Sequence, residues 1–333
     1  MFSMGKMTQI SSFFLASLLF FISHSQSTSN TSAQHHCRPV QSSALLQLRQ
    51  EFFEKRIFSD YYYGVSYPKM KSWKADTDCC SWDGVTCDAE SGQVIDLDLS
   101  NSWLNGPLKS NSSLFSLSHL QKLNLAYNNF TLSTVPSEFG QLVSLTHLNL
   151  SFSFLSGQIP SEISWLSNLV SLDLSVTCVN CLFNNVFQHS KTLNLKRLDL
   201  ETLVQNITNL RELQLAFVNI SSSVPQALVN LSSLTLLSLA NCGLHGQFPT
   251  NIFLMPKLSK IDLSCNHFLT GFLPEFHSGS SLELLDLSFT NFFWILPNSI
   301  DNLESLIKLD LSQTKLSWEI QPPVIEFFGS QFK

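Results

Sequence analysis

Charged side chains are scarce in this sequence of 333 residues. Lys and Arg number 19, Asp and Glu number 25, and only 13% of the chain is charged, with a net charge of −6. The chain contains no basic run. Because binding to nucleic acid depends on clustered Lys and Arg at the phosphates, the composition argues against a nucleic-acid partner and predicts a nearly neutral polar surface.

The sequence also lacks the short motifs of common catalytic sites, such as G-x-S-x-G, H-E-x-x-H and G-x-G-x-x-G. Asp96 and Asp98 form a carboxylate pair, but their L-D-L-S context recurs at Asp173, Asp262, Asp286 and Asp310. A recurring pattern favours a structural role over acid–base catalysis. His35 and His36 are interpreted as a solvated segment rather than a metal site. We therefore expect no enzymatic activity, no cofactor and no metal.

A long apolar run occurs only at the amino terminus, from Ile10 to Ile22 after Lys6. This run is too short to cross a hydrocarbon core of ~30 Å and fits a secretory signal. We predict that residues 1–25 form a signal peptide cleaved near Ser25. The rest of the chain then enters the secretory pathway, and no later segment is predicted to span a membrane.

The sequence is rich in leucine at fixed intervals. Leu142, Leu145, Leu148 and Leu150 follow L-x-x-L-x-x-L-x-L, and the last two share one face of a strand. The final leucine of this pattern, called the anchor here, recurs at Leu99, Leu125, Leu150, Leu174, Leu200, Leu215, Leu239, Leu263, Leu287 and Leu311. Spacings are 24 to 26 residues, except for 15 after Leu200. One such unit cannot bury its own leucines, whereas stacked copies share a continuous core.

The spacing therefore predicts an α/β repeat fold, a right-handed leucine-rich-repeat solenoid with a concave parallel β-sheet. We expect about ten repeats over residues 93–322, irregular at 175–210. Three residues past each anchor, an inward side chain should satisfy buried backbone groups. These positions are Ser102, Asn128, Ser153, Thr177, Val218, Cys242, Asn266, Thr290 and Thr314. Because valine has no polar group, we expect the region from Leu200 to Ile220 to be the weakest.

Prolines recur 10 or 11 residues past their anchors, where extended backbone on the convex side tolerates a missing N–H. They are Pro136, Pro160, Pro225, Pro249, Pro274 and Pro297. Before the first repeat, Leu45, Leu48 and Phe52 recur at helical spacing, with Ser42 or Ser43 expected to cap the helix. We interpret the tyrosine-rich segment that contains residues 61–63 as a loop packed against the amino-terminal cap rather than as a ligand contact.

Residues 26–92 are predicted to form a cap that closes the apolar end of the solenoid. A secreted chain with eight cysteines is expected to contain disulfides. Four of them lie in the cap, at Cys37, Cys79, Cys80 and Cys87. Adjacent Cys79 and Cys80 do not easily join each other, which leaves two pairings open.

The amino-acid sequences of the cap and of the repeats resemble those of a known family. The run CCSWDGVTCD from Cys79 to Asp88, L-S-G-x-I-P from Leu155 to Pro160 and LVQNITNLRELQLAFVNISS from Leu203 to Ser222 are similar to plant receptor-like proteins of the Cf-type disease-resistance group. The resemblance covers about residues 37–318. It implies Cys37–Cys79 and Cys80–Cys87 pairs in a helical, disulfide-bonded cap, and it identifies the chain as the amino-terminal portion of a receptor ectodomain.

By the same resemblance, the function is recognition of a peptide or protein outside the cell, with signalling through a membrane receptor-kinase co-receptor. The protein would be extracellular, or at the plasma membrane where a full-length form carries the family's anchor. Residues 323–333 show no closing cysteine pair and are interpreted as a truncated tail. Two alternatives remain: a secreted inhibitor similar to polygalacturonase-inhibiting proteins, and a nonfunctional truncated receptor.

The other cysteines and the N-x-[ST] sequons complete the secreted pattern. Cys178 and Cys181 are expected to form a local disulfide or remain free, whereas Cys242 should face inward, Cys265 outward, and the two should not bond. The sequons predict glycans at Asn30, Asn111, Asn129, Asn149, Asn206, Asn219 and Asn230.

The candidate ligand-binding residues lie on the predicted concave face. Two residues past the anchors stand aromatic side chains at Tyr127, Phe152, Phe217 and Phe289. Exposed aromatic rings are informative because they suit contact with an extended peptide, although they can equally pack on their neighbours. A charged patch is expected nearby from Lys196, Arg197, Arg211 and Glu212.

Overall fold

The structure is a computed structural model that describes residues 36–56, 66–176, 192–195 and 200–317. Its helices are α1 (Pro39–Glu51) and α2 (Leu200–Asn206). Its strands are β1 (Phe53–Glu54), β2 (Val85–Cys87), β3 (Val94–Asp98), β4 (Leu104–Asn105), β5 (Lys122–Asn124), β6 (His147–Asn149), β7 (Gly157–Gln158), β8 (Ser171–Asp173), β9 (Leu193–Asn194), β10 (Glu212–Gln214), β11 (Leu236–Ser238), β12 (His245–Gln247), β13 (Lys260–Asp262), β14 (Phe268–Gly271), β15 (Leu284–Asp286), β16 (Asn291–Ile295), β17 (Lys308–Asp310) and β18 (Lys315–Ser317).

One sheet runs through the repeats and confirms the predicted solenoid. Its order is β2-β3-β5-β6-β8-β10-β11-β13-β15-β17, in which β2 is antiparallel to β3 and the other pairings are parallel. The leucine at the middle of a strand is buried, as Leu123, Leu148 and Leu237 show, and the anchor leucines lie beside it in the same core. Because successive side chains of a strand point to opposite faces, the leucines face the core and the residues that alternate with them lie on the opposite face of the sheet.

The prediction that Leu200 is the anchor of a strand is wrong. Leu200 begins α2, and β8 pairs directly with β10, with Leu172 opposite Leu213. Hydrogen-bonded Ser171 and Glu212 are therefore 41 positions apart along the chain, compared with 24 for equivalent contacts elsewhere. Within the described residues the sheet contains nine parallel strands, because the chain at Leu200 begins a helix that buries Leu203 and Val204 in the core instead of adding a strand.

On the side of each coil away from the sheet, the chain forms short 3₁₀ helices. They span Ser113–Ser116, Ser137–Gln141, Ser161–Trp165, Gln226–Asn230, Thr250–Leu254 and Asn298–Asn302. Five of them follow directly on a proline with extended backbone, at Pro136, Pro160, Pro225, Pro249 and Pro297. The prolines therefore start these helices, where no ladder N–H is needed.

A second parallel sheet, which the sequence did not predict, consists of β12, β14, β16 and β18. Its exposed side chains include Phe268, Phe293 and Ile295. No helix in the described part of the chain has the length and hydropathy needed to cross a bilayer.

The predicted inward ladder is present at both asparagines. Asn128 Oδ1 accepts from the backbone N–H groups of Ser102 and Leu104, and its Nδ2 donates to the carbonyl oxygens of Leu99 and Leu125. Asn266 makes the same set of bonds one coil after Cys242. Cys242 itself is buried, and its Sγ donates to the Leu215 carbonyl at 3.1 Å. Thr177 lies outside the described residues.

The cap is closed by the Cys37–Cys79 and Cys80–Cys87 disulfides, the pairing that the resemblance implies. The rings of Trp73 and Trp82 stack with centroids 5.4 Å apart beneath them. The expected serine cap of α1 is wrong, because Pro39 opens the helix and its preset φ suits that position.

Two further expectations concern the ends of the cap. Ser43 Oγ donates to the Pro39 carbonyl rather than accepting from a helix N–H. His36 is not merely solvated, since its Nδ1 lies 2.9 Å from Asp78 Oδ2. The segment containing residues 61–63, like His35, lies outside the described part.

Candidate functional site

The outward side chains of the parallel strands, and of the turn after each strand, form a continuous surface that we call the open sheet face. Parallel pairing aligns these side chains in rows across the coils, as when Lys122 lies opposite His147 and Asn124 opposite Asn149. The first row consists of Asp96, Lys122, His147, Ser171, Glu212, Leu236, Lys260, Leu284 and Lys308. The second row consists of Asp98, Asn124, Asn149, Asp173, Gln214, Ser238, Asp262, Asp286 and Asp310.

The second row is fixed by hydrogen bonds to the following turn. Asp173 Oδ1 accepts from the backbone N–H of Ser175 at 2.9 Å, and Asn149 Oδ1 accepts from Ser151 in the same way. Equivalent bonds hold Asp98, Asp262, Asp286 and Asp310. This repeated geometry explains why L-D-L-S recurs.

Two of these carboxylates have lysine partners. Lys308 Nζ lies 2.9 Å from Asp286 Oδ2, and Lys69 Nζ lies 3.2 Å from Asp98 Oδ1. Burial acts to raise the pKa of Asp98, but hydrogen bonds from Ser100 and the Lys69 ammonium outweigh it and hold that pKa below its usual value.

Other groups of the face have their charged forms disfavoured. Burial raises the pKa of Asp96, and it also raises the pKa of Asp173 despite hydrogen bonds from serine. The pKa of His147 is lowered by burial and by the Lys122 ammonium. At neutral pH His147 is therefore an uncharged hydrogen-bonding group on this face.

The turn two residues past each anchor forms a third row, the turn row. Positive φ angles between 50° and 63° occur there at Asn101, Tyr127, Phe152, Phe217, Asn241, Cys265, Phe289 and Gln313. This left-handed conformation is uncommon for residues other than glycine and is least tolerated by β-branched side chains. Val176, the one described member of the row with a β-branched side chain, is not among the positive angles, and it packs on the core.

The four predicted aromatic residues all lie in the turn row. The rings of Tyr127 and Phe152 stack in parallel with centroids 4.9 Å apart, so these two rings pack on each other. Phe217 is half-buried, whereas Phe289 is 45% exposed and contacts the His267 ring edge-on at 6.4 Å. Both interpretations of the rings therefore apply, packing in one part of the row and exposure in another.

The predicted charged patch is only partly described. Glu212 lies in the first row, and its Oε2 accepts from Ser171 Oγ at 2.8 Å. Arg211 is exposed just before β10, with its carbonyl oxygen bonded to Thr235. Lys196 and Arg197 lie outside the described residues. The sequence analysis missed the first and second rows, although their alternation with buried leucine was a signal that could have found them.

The sequons fall into two structural groups. Asn111, Asn206 and Asn230 are exposed. Asn129 and Asn219 are half-buried, and their Nδ2 groups donate to the side-chain oxygens of Asn105 and Asn194, both at 2.9 Å. Asn149 stands on the open sheet face itself, and Asn30 lies outside the described part.

Cys242 and Cys265 are free thiols in the structure, the first buried inward and the second half-buried in the turn row, as their register predicts. Cys178 and Cys181 lie outside the described residues.

Comparison with known proteins agrees with this geometry. The Leucine rich repeat N-terminal domain profile matches residues 39–88, and the Leucine Rich Repeat profile matches 119–142, 144–166 and 281–303. The chain is a leucine-rich-repeat protein. This leucine-rich-repeat protein is 44% identical to Receptor-like protein 6 of Arabidopsis thaliana over 313 residues, which is 90% of the chain and 30% of the relative. It is 39% identical to Receptor-like protein Cf-9 of Solanum pimpinellifolium over 287 residues, 83% of the chain and 31% of the relative.

These similarities confirm the resemblance to plant receptor-like proteins, and the chain spans about 30% of the length of the relatives it matches. Among solved structures, the leucine-rich-repeat protein is similar to the Arabidopsis receptor kinase HAESA in complex with the peptide hormone IDA and the co-receptor SERK1. The TM-score is 0.59 and the identity 28%, over 83% of this chain and 46% of HAESA.

Proposed function

We propose that this chain is an extracellular recognition module of a plant immune receptor-like protein, which binds a peptide or protein ligand on the open sheet face and signals through partner kinases. The observation that carries the proposal is the set of aromatic side chains at Tyr127, Phe152, Phe217 and Phe289, placed at the same position of four coils beside a row of fixed polar groups. Rings give contact area, and fixed polar groups give orientation.

The geometry suits an extended ligand. Neighbouring strands lie about 4.8 Å apart, so nine parallel strands offer a surface on the order of 40 Å long. Fixed oxygen and amide groups in the second row suit the N–H and C=O groups of a peptide backbone. Support for a peptide ligand and a kinase partner comes from HAESA, whose complex contains a peptide hormone and a co-receptor, and support for defence comes from the similarity to Cf-9.

The proposal is tested by shielding the face with a glycan. Ala126→Ser completes a sequon at Asn124, a second-row residue next to the Tyr127–Phe152 stack, and serine is the residue already present at the equivalent Ser151. Peptides selected from a random phage-displayed library on the secreted wild-type chain should bind the glycosylated variant at least about ten-fold more weakly, because the glycan covers the face.

Two controls separate shielding from misfolding. Trimming the Asn124 glycan of the Ala126→Ser variant to its first sugar with an endoglycosidase uncovers the face and should restore binding. Lys257→Asn completes a sequon with Ser259 at an exposed turn that precedes β13 and should leave binding unchanged. Equal binding to the Ala126→Ser variant, or no enrichment of any peptide, would refute the proposal. Kinase partnering is tested separately, by peptide-dependent association of the chain with a receptor-kinase ectodomain.

A further inference from the structure

The turn row is interrupted at one coil. On the β6 coil Phe152 occupies the row, and on the β10 coil Phe217 does, both with positive φ. Between them, on the β8 coil, Val176 packs against the core instead. Hydrogen bonds show that the three turns are consecutive, since Phe152 N–H donates to the Ser175 carbonyl and Val176 N–H donates to the Ala216 carbonyl, both at 2.9 Å. Within the part of the chain that the structure describes, a gap therefore separates two aromatic side chains in the row.

The width of this gap follows from strand spacing. Phe152 and Phe217 stand two strands apart, which corresponds to about 10 Å. A group midway would lie about 5 Å from each ring, within the ~6 Å over which an aromatic face attracts a cation. The contrast with the neighbouring coils is direct, because Tyr127 and Phe152 stand one strand apart and their rings stack at 4.9 Å, with no space for a third group.

Two carboxylates without a cationic partner lie beside the gap. Asp173 stands on the same coil as Val176, three residues earlier and so roughly 10 Å away along the strand. Glu212 stands on the adjacent strand, opposite Ser171, whose hydroxyl donates to it. Among the described residues neither carboxylate forms an ion pair, whereas Asp98 and Asp286 on the same face do. Burial raises the pKa of Asp173, and the nearby Glu212 carboxylate adds to this, so a cationic group of a ligand would stabilise its ionised form.

We propose that the gap between Phe152 and Phe217, together with Asp173 and Glu212, is a subsite for a lysine or arginine side chain of the ligand. This rests on the proposed function. The aliphatic stem lies between the rings, and the ammonium or guanidinium reaches the carboxylates with charge-assisted hydrogen bonds. The titratable groups nearest on the face are His147 and Lys122, on the two strands before β8, and Arg211 at the start of β10; Lys122 lies two strands from Asp173.

Arginine and lysine fit this arrangement better than other ligand groups. A carboxylate or phosphate would meet two like charges, and a purely apolar side chain would bury Asp173 further without a partner. An extended chain that crosses the face with a basic residue at the β8 coil satisfies both carboxylates and both rings at once.

The test uses the random phage-displayed peptide library on the secreted full chain, with Asp173→Ser and Glu212→Gln combined as the variant. Serine is chosen because Ser238 occupies the same position on β11, and because Asp173→Asn would complete a sequon with Ser175. The matched control combines Asp301→Ser and Glu304→Gln, which remove two exposed carboxylates at the 3₁₀ helix Asn298–Asn302, on the side of the coil away from the sheet. Thermal unfolding of each variant checks that it folds.

We expect peptides selected on the wild type to share one Lys or Arg. Their affinity for the double variant should be at least about ten-fold lower than for the wild type. Replacing the shared Lys or Arg of the peptide by norleucine or citrulline should lower the affinity for the wild type by a similar factor. Combining the protein and peptide changes should lower the affinity little further than either change alone. Asp301→Ser with Glu304→Gln should leave affinity unchanged. Peptides that enrich and are blocked by the Asn124 glycan but share no basic residue, or that bind the double variant equally, overturn the subsite while the proposed function stands. No enrichment at all overturns both.

Discussion

Asp78 accepts a hydrogen bond at 2.9 Å from the backbone N–H of Cys37, which precedes it by 41 positions. The same oxygen accepts from the Cys80 N–H at 3.1 Å, and the other carboxylate oxygen contacts His36. One side chain thus joins the start of the cap to the 3₁₀ helix Cys79–Ser81, in which both disulfides have a cysteine. The sequence motif draws attention to the cysteines, whereas the structure shows that Asp78 positions them.

Replacing this carboxylate should weaken the cap. Asp78→Ala removes the N-terminal cap of a helix and leaves two N–H groups without their acceptor, for which we expect a loss of about 1–3 kcal/mol in the free energy of unfolding. Chemical denaturation followed by tryptophan fluorescence suits the measurement, because Trp73 and Trp82 lie in the cap. Asp76→Ala, at an exposed position, is the control. Equal stability of the two variants would contradict the role of Asp78.

The contribution of Asp78 should depend on pH. Burial acts to raise its pKa, but hydrogen bonds from His36 and from the N–H groups of Cys37 and Cys80 outweigh it, and the pKa lies below 3.8. A carboxylate with a lowered pKa stabilises the fold above its unfolded-state pKa and loses that contribution as the pH falls through its folded-state pKa. The stability difference between wild type and Asp78→Asn should therefore be constant above about pH 5 and shrink below 3.8, and a difference unchanged at pH 2 would be inconsistent with this.

The inward asparagines should be costly to remove. Asn266→Ala leaves the N–H groups of Cys242 and Leu244 and two carbonyl groups without partners in the core. We expect a loss of roughly 2–4 kcal/mol, since unsatisfied buried polar groups cost about 1–3 kcal/mol each and partial relaxation recovers some of this. Asn251→Ala, exposed on a 3₁₀ helix, should be nearly neutral. Urea denaturation of both variants provides the comparison.

Hydrogen exchange should reveal the weakest coil. Val218 is fully buried at the position of its coil that Asn128 and Asn266 occupy in theirs. The asparagines donate hydrogen bonds to backbone carbonyl groups there, whereas the valine side chain has no polar group. Amides from Leu200 to Ile220 should exchange faster than those of the β13 coil, because they open at a lower free energy. Uniform protection across both regions would show that the ladder residue does not set local stability.

Thiol labelling should distinguish the two described free cysteines. Burial raises the pKa of Cys242 far above its ordinary value, and it raises the pKa of half-buried Cys265 with help from Asp262 and Asp286. Since the thiolate is the reactive form, Cys242 should remain unlabelled by iodoacetamide until the protein unfolds, and Cys265 should react only slowly at pH 7. Peptide mass spectrometry measures each site, and rapid native labelling of Cys242 would contradict its placement.

Glycan mapping should follow the two groups of sequons. Asn111, Asn206 and Asn230 are exposed and should carry glycans, whereas Asn129 and Asn219 should be largely unmodified because their amides bond to Asn105 and Asn194. Glycopeptide mass spectrometry reports occupancy at each position. A glycan found on Asn149 would shield part of the open sheet face, so its occupancy also bears on the proposed ligand surface.

The sequence predicted the repeated strands because one leucine pattern produces one local structure when neighbouring coils repeat it. It failed at Leu200 because the apolar pattern before this residue fits a strand anchor and a buried helix face equally well, and only the packing of Leu203 and Val204 selects the helix. The second sheet was not predicted because its strands are short. They form by pairing between stacked coils and have no apolar pattern in the local sequence that would indicate a strand.

For the candidate site, the position of the turn row followed from the anchor spacing. Contacts between side chains of different coils could not be predicted from that spacing, because the stacking of Tyr127 on Phe152 depends on side-chain rotamers in two repeats. The gap at Val176 could not be predicted from the sequence either, because every turn was expected to have the same conformation and β8 was not expected to pair with β10.

The left-handed backbone of the turn row limits how this surface can diversify. Aromatic, amide and thiol side chains occupy it in eight coils, whereas the β-branched valine, isoleucine and threonine are least tolerated there. A synthetic library that varies these eight turns to obtain new binding specificities should therefore exclude the β-branched amino acids. Glycine is the substitute that keeps the backbone conformation where an aromatic side chain is to be removed.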